Sequence, residues 1–391
     1  MRGLEVLRAA FQTSRGSRSS LSTALHCLSV GDSTASWRPA EQSFNTCSVN
    51  LFTLPAANVQ GVLYLPGSWS SISQRAFKSP ASRDKPADAP PHQPARTWLN
   101  SWLPSSAVPY AQLMRLDRPI GTWLLAWPCM WSIALAAPLG GLPDLRLLGL
   151  FGVGSVLLRG AGCTVNDLWD MRLDALVERT RSRPLPSRSV TVPQAAGLLG
   201  AQLLLGLGIL VQLNTPSILL GASSLLLVGA YPYMKRITYW PQAFLGLTFN
   251  WGALLGHVAA TGHLDWQICL PLYASGVCWT LVYDTIYAHQ DKNDDVLAGV
   301  KSTALLFASH NRMIMSGFAL SHLALLAAAG WSAGILDQWP FTVALCAAST
   351  HIFWQILSVD LESGADCMSK FVSNKYYGAM IFGGIVAAKL V

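Results

Sequence analysis

Four acidic residues follow an apolar run within GCTVNDLWDMRLDALVERT, residues 162–180. They are Asp167, Asp170, Asp174 and Glu178. On a helix, Asn166, Asp170 and Asp174 stack along one face, because residues four apart are neighbours there. Carboxylates at that spacing repel one another. The pattern therefore predicts that a cation compensates them.

A second acidic cluster occurs more than a hundred residues later, in YDTIYAHQDKNDDVLAGVKST, residues 283–303. Its acids are Asp284, Asp291, Asp294 and Asp295. Mg²⁺ prefers oxygen ligands and commonly bridges carboxylates to substrate phosphates, so two such clusters predict a diphosphate held by Mg²⁺. The alternative, that these are solvated loop charges balancing nearby arginines, is the favoured interpretation for Glu178 and Asp294.

The composition indicates the kind of element that carries these clusters. Of the 391 residues, 51% are hydrophobic and only 12% are charged, against roughly 25% charged in soluble domains. Mean hydropathy is +0.36. A soluble protein of this size needs a more strongly charged surface, so we predict a polytopic membrane protein.

Apolar segments alternate with short polar ones from residue 119 onward. Lipid offers the backbone no hydrogen-bond partners and the segments show no strand alternation, so each is predicted to be a helix. The nine predicted spans are 119–138, 145–165, 193–212, 217–232, 241–261, 267–288, 313–333, 340–358 and 374–390.

Basic residues lie almost entirely on one side of these spans. The loops of that side contain fourteen Lys and Arg residues, whereas those of the other side contain only Arg146. This positive-inside bias orients the chain and places both acidic clusters at the same membrane face. In a mitochondrial inner membrane that face would be the matrix side.

The first hundred residues differ from the rest. Residues 1–60 are rich in Arg and Ser and poor in acids, which predicts a mitochondrial transit peptide rather than a secretory signal, or else a disordered arm. Residues 61–104 include a Pro-rich, polar stretch and are predicted to be a linker, with the membrane domain at 105–391. The eight cysteines form no ligand spacing and predict neither disulfides nor zinc.

The strings NDLWDMRLD (166–174) and DKNDD (291–295) resemble the paired NDxxDxxxD and DxxxD motifs of the UbiA superfamily of intramembrane aromatic prenyltransferases. Further strings narrow the resemblance to the 4-hydroxybenzoate branch of that superfamily. They are RLDRPIGTWLL (115–125), RGAGCTVND (159–167), RTRSRPLPS (179–187) and YDTIYAHQDKNDD with GVKST (283–303). The similarity extends over about residues 105–391.

The resemblance implies a fold, a reaction and a place in metabolism. The fold would be a nine-helix α-barrel around a central cavity, with the acidic motifs on polar cap loops. The reaction would be Mg²⁺-dependent transfer of a polyprenyl chain from its diphosphate to the ring carbon ortho to the hydroxyl of 4-hydroxybenzoate, an early step of ubiquinone biosynthesis. The resemblance implies that the protein contacts membrane lipid and does not bind nucleic acid. It leaves open the chain length and any association with other proteins of that pathway.

The resemblance also implies roles for individual acids. The predicted metal ligands are Asn166, Asp170, Asp174, Asp291 and Asp295, with Asp167 and Asp294 as outer partners. Asp284 is predicted to hold a water, a ligand or a cation. Asp170, Asp174, Asp291 and Asp295, together with Lys301, form the predicted catalytic set.

Cations and aromatic residues complete the predicted site. Lys301 and Arg183 are candidates to contact phosphate oxygens, because an arginine fork suits phosphate geometry. Arg159 lies inside span two, where a cation costs about 2.5–3.5 kcal/mol or more, so it should face a cavity or a partner. The predicted partner of Arg159 is the carboxylate of the aromatic acid. Arg159 could instead form an ion pair with an aspartate, and Arg118 could bind the aromatic carboxylate in its place. Tyr283 is a candidate to shield an allylic cation.

Three other functions are alternatives to prenyl transfer to 4-hydroxybenzoate. A related enzyme acting on haem B or a naphthoate needs the same metal chemistry and differs only in its acceptor. A transporter would scatter charges through its spans, whereas here the acids gather at one face. The signature of the CDP-alcohol phosphotransferases is missing from this sequence.

Overall fold

The structure is a computed structural model, and it describes residues 98–175, 178–292 and 300–391. Every regular element in those ranges is helical. The predicted leader 1–60 lies outside the described residues, as does the linker except for residues 98–104. Both stay predictions.

Fourteen α-helices are found in the described ranges. They are α1 (Leu99–Trp102), α2 (Val108–Leu113), α3 (Ile120–Leu135), α4 (Leu145–Asp174), α5 (Glu178–Arg181), α6 (Val192–Leu210), α7 (Thr215–Ile237), α8 (Pro241–Phe249), α9 (Trp251–Thr261), α10 (Trp266–Ala288), α11 (Thr303–Phe307), α12 (Asn311–Ser332), α13 (Trp339–Ser358) and α14 (Gly364–Leu390). Short 3₁₀ turns follow α10 at His289–Asp291 and α11 at Ala308–His310.

Each predicted span coincides with one of these helices, or with the α8–α9 pair for span five. Five segments are long and apolar enough to cross a membrane by length and composition: Leu145–Arg172, Val192–Leu210, Pro241–Thr261, Thr303–Ser332 and Trp339–Ser358. Helix α3 and the first part of α7 are apolar but shorter. The all-helical membrane architecture is confirmed, while the count of nine crossings stays a prediction.

Local sequence explains several helix ends. Thr191 and Asn214 cap α6 and α7 through their side chains, and a proline follows each cap in the first turn. Gly262 ends α9 with a φ of 82°, a left-handed conformation that glycine adopts without strain.

Helix α4 is longer than predicted. Span two was expected to end at residue 165, where hydropathy falls, but the helix continues to Asp174. Falling hydropathy does not end a helix, and no glycine or proline interrupts residues 163–174. The expectation that the first acidic motif lies on a loop was therefore wrong, because the motif is the last part of a 30-residue helix.

The core joins α3, α10 and α14. Trp131, Trp279 and Tyr377 are fully buried, and the Trp279 ring lies 5.1 Å from that of Trp131 and 5.5 Å from that of Tyr377. Hydrogen bonds also join helices here: His322 Nε2 lies 2.6 Å from the Tyr377 hydroxyl. Since lipid does not drive helices together as water does, such packing and hydrogen bonds stabilise the bundle.

The helix formed by α8 and α9 is interrupted at Asn250. The Asn250 side-chain amide donates hydrogen bonds to the carbonyl of Gly246 (2.8 Å) and to Thr280 Oγ1 (3.0 Å) on α10. These bonds support the interruption, which brings both Phe249 and Trp251 to one cavity.

Candidate active site

A large cavity extends between the helices of the described residues. Its volume is about 1530 Å³, and residues of α3, α4, α6, α7, α8, α9, α10 and α14 line it. Leucines dominate the part between α4, α6 and α7, including Leu158, Leu203 and Leu225. Charged side chains lie in another part, so the cavity offers both an apolar and a polar environment.

One face of α4 supplies the polar wall. The residues on this face that line the cavity are Arg159, Cys163, Asn166, Asp170 and Asp174. Their spacing of three or four residues places them in a row, as the helical periodicity predicted. The row brings a cation and several oxygen donors into the same cavity.

Two of the acids are compensated by arginines. Asp167, only 1% exposed, accepts hydrogen bonds from Arg115 Nη2 on both carboxylate oxygens, at 2.8 and 2.9 Å. Arg183 Nη1 lies 3.2 Å from Asp167 Oδ1 and 2.7 Å from Asp174 Oδ2. We call this group, Arg115, Asp167, Arg183 and Asp174, the ion-pair network. It joins the segment before α3, the end of α4 and the segment before α6.

The ion-pair network changes the explanation of the clustered acids. The sequence predicted that metal compensates them, whereas Asp167 and Asp174 contact arginines. Arg115 also adopts a left-handed backbone with φ of 57°, a conformation that costs a non-glycine residue about 1–3 kcal/mol. The metal roles predicted for Asp167 and Asp174 stay predictions.

The second acidic segment faces the same cavity. Asp284 on α10 and Asp291 in the following 3₁₀ turn both line it, as do Tyr283 and Tyr287. Asp294 and Asp295 lie outside the described residues. Asp170 and Asp291, more than a hundred residues apart in sequence, thus line the same cavity.

Lys301 lies beside this wall. It lines a smaller pocket of about 100 Å³ that shares Asp284 and Asp291 with the large cavity. Its ammonium donates a hydrogen bond to the Ile237 carbonyl at the end of α7, 3.2 Å away. The position is next to the two acids rather than inside the large cavity.

His289 adjoins the second acidic segment without adding charge to it. Burial lowers the pKa of His289, and its Nδ1 lies 2.8 Å from the Thr285 carbonyl oxygen. An imidazole with a lowered pKa is neutral at about pH 7.

Arg159 lies deeper in the cavity than the acids. Seven residues separate it from Asn166, which is about 10 Å along a helix. Its guanidinium lies over the Phe249 ring, 5.7 Å from the centroid, and its Nε is buried without a hydrogen-bond partner. Among the described residues Arg159 forms no ion pair. The alternative of an internal pair with an aspartate is not found there.

The other two predicted contacts differ in exposure. The Arg118 side chain is 73% exposed and lies 3.8 Å from Asp117. Tyr283 is 1% exposed, with its hydroxyl 3.1 Å from Thr280 Oγ1. Of the two cations predicted for the aromatic carboxylate, Arg159 is therefore the better enclosed.

Four charged residues that line the cavity were missed by the sequence reasoning as site residues: Arg115, Asp117, Arg236 and Lys375. Asp117 Oδ1 is buried and has no hydrogen-bond partner among the residues that the structure describes. Arg115 and Arg236 were counted only as positive-inside charges, and Asp117 belongs to the quoted string RLDRPIGTWLL. The string RLDRPIGTWLL could have marked Arg115 and Asp117 as site residues, but no spacing rule predicts that this string lies close to α4.

The donors suit Mg²⁺ better than zinc. In the part of the chain that the structure describes, no three His, Cys, Asp or Glu side chains converge as a metal site. Mg²⁺ does not require such a set, because it usually binds one or two carboxylates, water and substrate phosphates. The oxygen donors at the cavity, Asn166, Asp170, Asp284 and Asp291, fit that requirement.

Comparison with known proteins identifies the family. A family model described as the UbiA prenyltransferase family matches residues 125–380. The mitochondrial 4-hydroxybenzoate polyprenyltransferase of Arabidopsis thaliana is 59% identical over 75% of this chain and 72% of its own length. That of Drosophila melanogaster is 53% identical over 84% of this chain and 82% of its own length.

A solved structure shares the fold. The UbiA homolog from Archaeoglobus fulgidus bound to GPP and Mg²⁺ has a TM-score of 0.52 and 16% identity, covering 72% of this chain and all of the other. The family model alone spans more than half of the 391 residues. Together with the helical fold and the cavity, these matches show that the chain belongs to the UbiA prenyltransferase family.

Proposed function

We propose that this enzyme transfers a polyprenyl chain from polyprenyl diphosphate to the ring carbon ortho to the hydroxyl of 4-hydroxybenzoate, in ubiquinone biosynthesis. The names of the Arabidopsis and Drosophila relatives support this acceptor. The observation that carries the proposal is the cavity itself. It combines an apolar part, oxygen donors from two distant segments, and an enclosed cation with no ion pair in the described residues.

Mg²⁺ is the proposed metal, held by Asn166 and Asp170 on α4 and by Asp291 across the cavity, with Asp294 and Asp295 as further candidates. The Mg²⁺-bound relative supports this choice. When bound, the ion would neutralise the charge that develops on the leaving diphosphate. Asp174 is a proposed ligand that shares Arg183 with Asp167.

The chain's own cations would hold the two substrates. Arg183 at the cavity wall and Lys301 in the adjoining pocket would contact phosphate oxygens. Arg159 would pair with the carboxylate of the aromatic acid and orient its ring. Holding the acceptor in a fixed orientation lowers the entropic cost of the reaction. Arg118 would guide the acid at the mouth, since its side chain is exposed.

Aromatic and apolar walls would protect the reacting carbon. Tyr283 and Tyr287 line the cavity near the acids, and Phe371 packs 4.7 Å from the Tyr287 ring. Such rings stabilise a cation through their faces and exclude water. The leucines of α4, α6 and α7 would accept the isoprenoid chain. Asp284 would hold a water or a cation beside the diphosphate.

The proposed location is the mitochondrial inner membrane, with the acidic segments at the matrix side. The mitochondrial names of the relatives and the basic loops support it. Association with other ubiquinone-pathway proteins is part of the proposal and is testable by co-purification.

Membranes containing the protein, supplied with 4-hydroxybenzoate, a short prenyl diphosphate and Mg²⁺, are expected to form the C-prenylated acid. Mass spectrometry checks the product, and a chelator should abolish it because the diphosphate would lose its counter-ion. If folded protein yields no product with several diphosphate lengths, haem B and a naphthoate are the acceptors to supply next. Product from one of these would replace the proposed acceptor.

Arg159→Ala is expected to raise the KM for 4-hydroxybenzoate by on the order of 10- to 100-fold, since a charged hydrogen bond is worth about 1.5–3 kcal/mol. The KM for the prenyl diphosphate should change little. Initial rates over a grid of both substrates separate the two constants. Equal increases in both would assign Arg159 a structural role, and Arg146→Ala, at the opposite end of α4, is the matched control.

A further inference from the structure

A glycine on α3 lies directly against the Arg159 side chain. Gly121 is the second residue of α3, is buried, and lines the same cavity as Arg159. A Cβ atom placed on Gly121 would lie 2.7 Å from Arg159 Cζ and 2.7 Å from Nη2, and closer still to Nε. No real Cβ tolerates these distances, so the guanidinium occupies the space that a side chain at 121 would fill.

The opposite side of the guanidinium is also defined. It lies over the Phe249 ring, 5.7 Å from the centroid. Phe249 is the last residue before the helix interruption at Asn250. In the described residues the buried Nε has no hydrogen-bond partner. Packing between α3 and α8, rather than hydrogen bonding of Nε, therefore determines where the guanidinium lies.

We propose that Gly121 is a positioning residue: by lacking a side chain, it fixes the Arg159 guanidinium where the aromatic carboxylate binds. The proposal rests on the acceptor-binding role of Arg159 proposed above. Any side chain at 121 would push the guanidinium out of this place. Gly121 then acts on the acceptor through Arg159 and makes no contact with the diphosphate.

Gly121→Ala tests this directly. The KM for 4-hydroxybenzoate is expected to rise by on the order of 10- to 100-fold, because a displacement of about 1 Å is enough for such a loss. The KM for the prenyl diphosphate should stay within about twofold, within the scatter of surface changes. Alanine is a better helix former than glycine, so weakening of α3 itself is not an explanation.

Gly317→Ala is the matched control. Gly317 is an exposed helical glycine of α12, and a Cβ there meets nothing within 4 Å. Both KM values of this variant should equal those of the wild type.

A double variant separates positioning from a general packing role. In the Arg159→Ala background the overlap is removed, so adding Gly121→Ala should leave the kinetics and thermal midpoint of Arg159→Ala unchanged. This pair stays informative even when Gly121→Ala alone fails to fold. An unchanged acceptor KM in Gly121→Ala, or a further loss in the double variant, overturns the positioning role. Absence of prenylated acid from the wild type instead overturns the proposed function.

Discussion

Asp170→Ala is expected to abolish prenyl transfer, a loss of on the order of 10³-fold or more, while the protein still inserts and folds. Asp170 lies on the cavity face of α4 between Asn166 and Asp174, and Asp291 lines the same cavity. Mg²⁺ held by so few protein carboxylates depends strongly on each one. Product formation at a series of Mg²⁺ concentrations measures both the rate and the apparent metal affinity.

Asp337→Ala is the matched control, because Asp337 is an exposed acid between α12 and α13 that does not line the cavity. It should retain full activity and metal dependence. Asp170→Ala protein with a wild-type thermal midpoint and a wild-type rate would remove Asp170 from the proposed metal site.

Asp167→Asn is expected to destabilise the protein by about 3–5 kcal/mol, the usual effect of removing one member of a buried ion pair. The substitution leaves Arg115, whose side chain is only 20% exposed, facing a neutral group, and it leaves Arg183 with Asp174 as its remaining partner in the ion-pair network. It also removes the contact that offsets the left-handed backbone of Arg115. Thermal unfolding of the purified protein in detergent measures the loss as a lowered midpoint.

Two comparisons sharpen this prediction. Asp366→Asn breaks a longer contact, 3.7 Å to Lys370 with a 32% exposed carboxylate, and should change stability by at most about 1 kcal/mol. Removing Arg115 together with Asp167, as Arg115→Met with Asp167→Leu, should restore part of the loss because fewer unpaired charges remain. A wild-type midpoint for Asp167→Asn would show that the ion pairs of Asp167 contribute nothing to stability.

Contacts within one helix were open to prediction from the sequence. The apolar runs located the helices, and the four-residue spacing of Asn166, Asp170 and Asp174 predicted the row along the cavity wall. Hydropathy misplaced the end of α4 and the start of α14, since polarity ends a membrane span but not a helix.

Contacts between helices were beyond sequence reasoning. Arg115 and Asp167 are 52 residues apart, and nothing in their spacing indicates the bidentate pair. The same holds for Gly121 and Arg159, whose contact depends on how closely α3 approaches α4. Asn250 gives no local sign of a helix interruption either, because its partner Thr280 lies on another helix. All three features, the ion pair, the glycine contact and the helix interruption, depend on packing between helices.

Helix α4 carries both Arg159, the proposed contact for the acceptor, and Asp170, a proposed metal ligand, on one continuous helix. Eleven residues separate Arg159 from Asp170, a distance of about 16 Å along the axis that hydrogen bonds within α4 maintain. The helix therefore fixes the distance between the proposed acceptor contact at Arg159 and the proposed metal ligand Asp170. The leucine-lined region, by contrast, is built from three separate helices, α4, α6 and α7, so its dimensions depend on packing between helices. Strict selection of the aromatic acid would then come from distances within one helix, and tolerance toward the length of the isoprenoid from packing between helices.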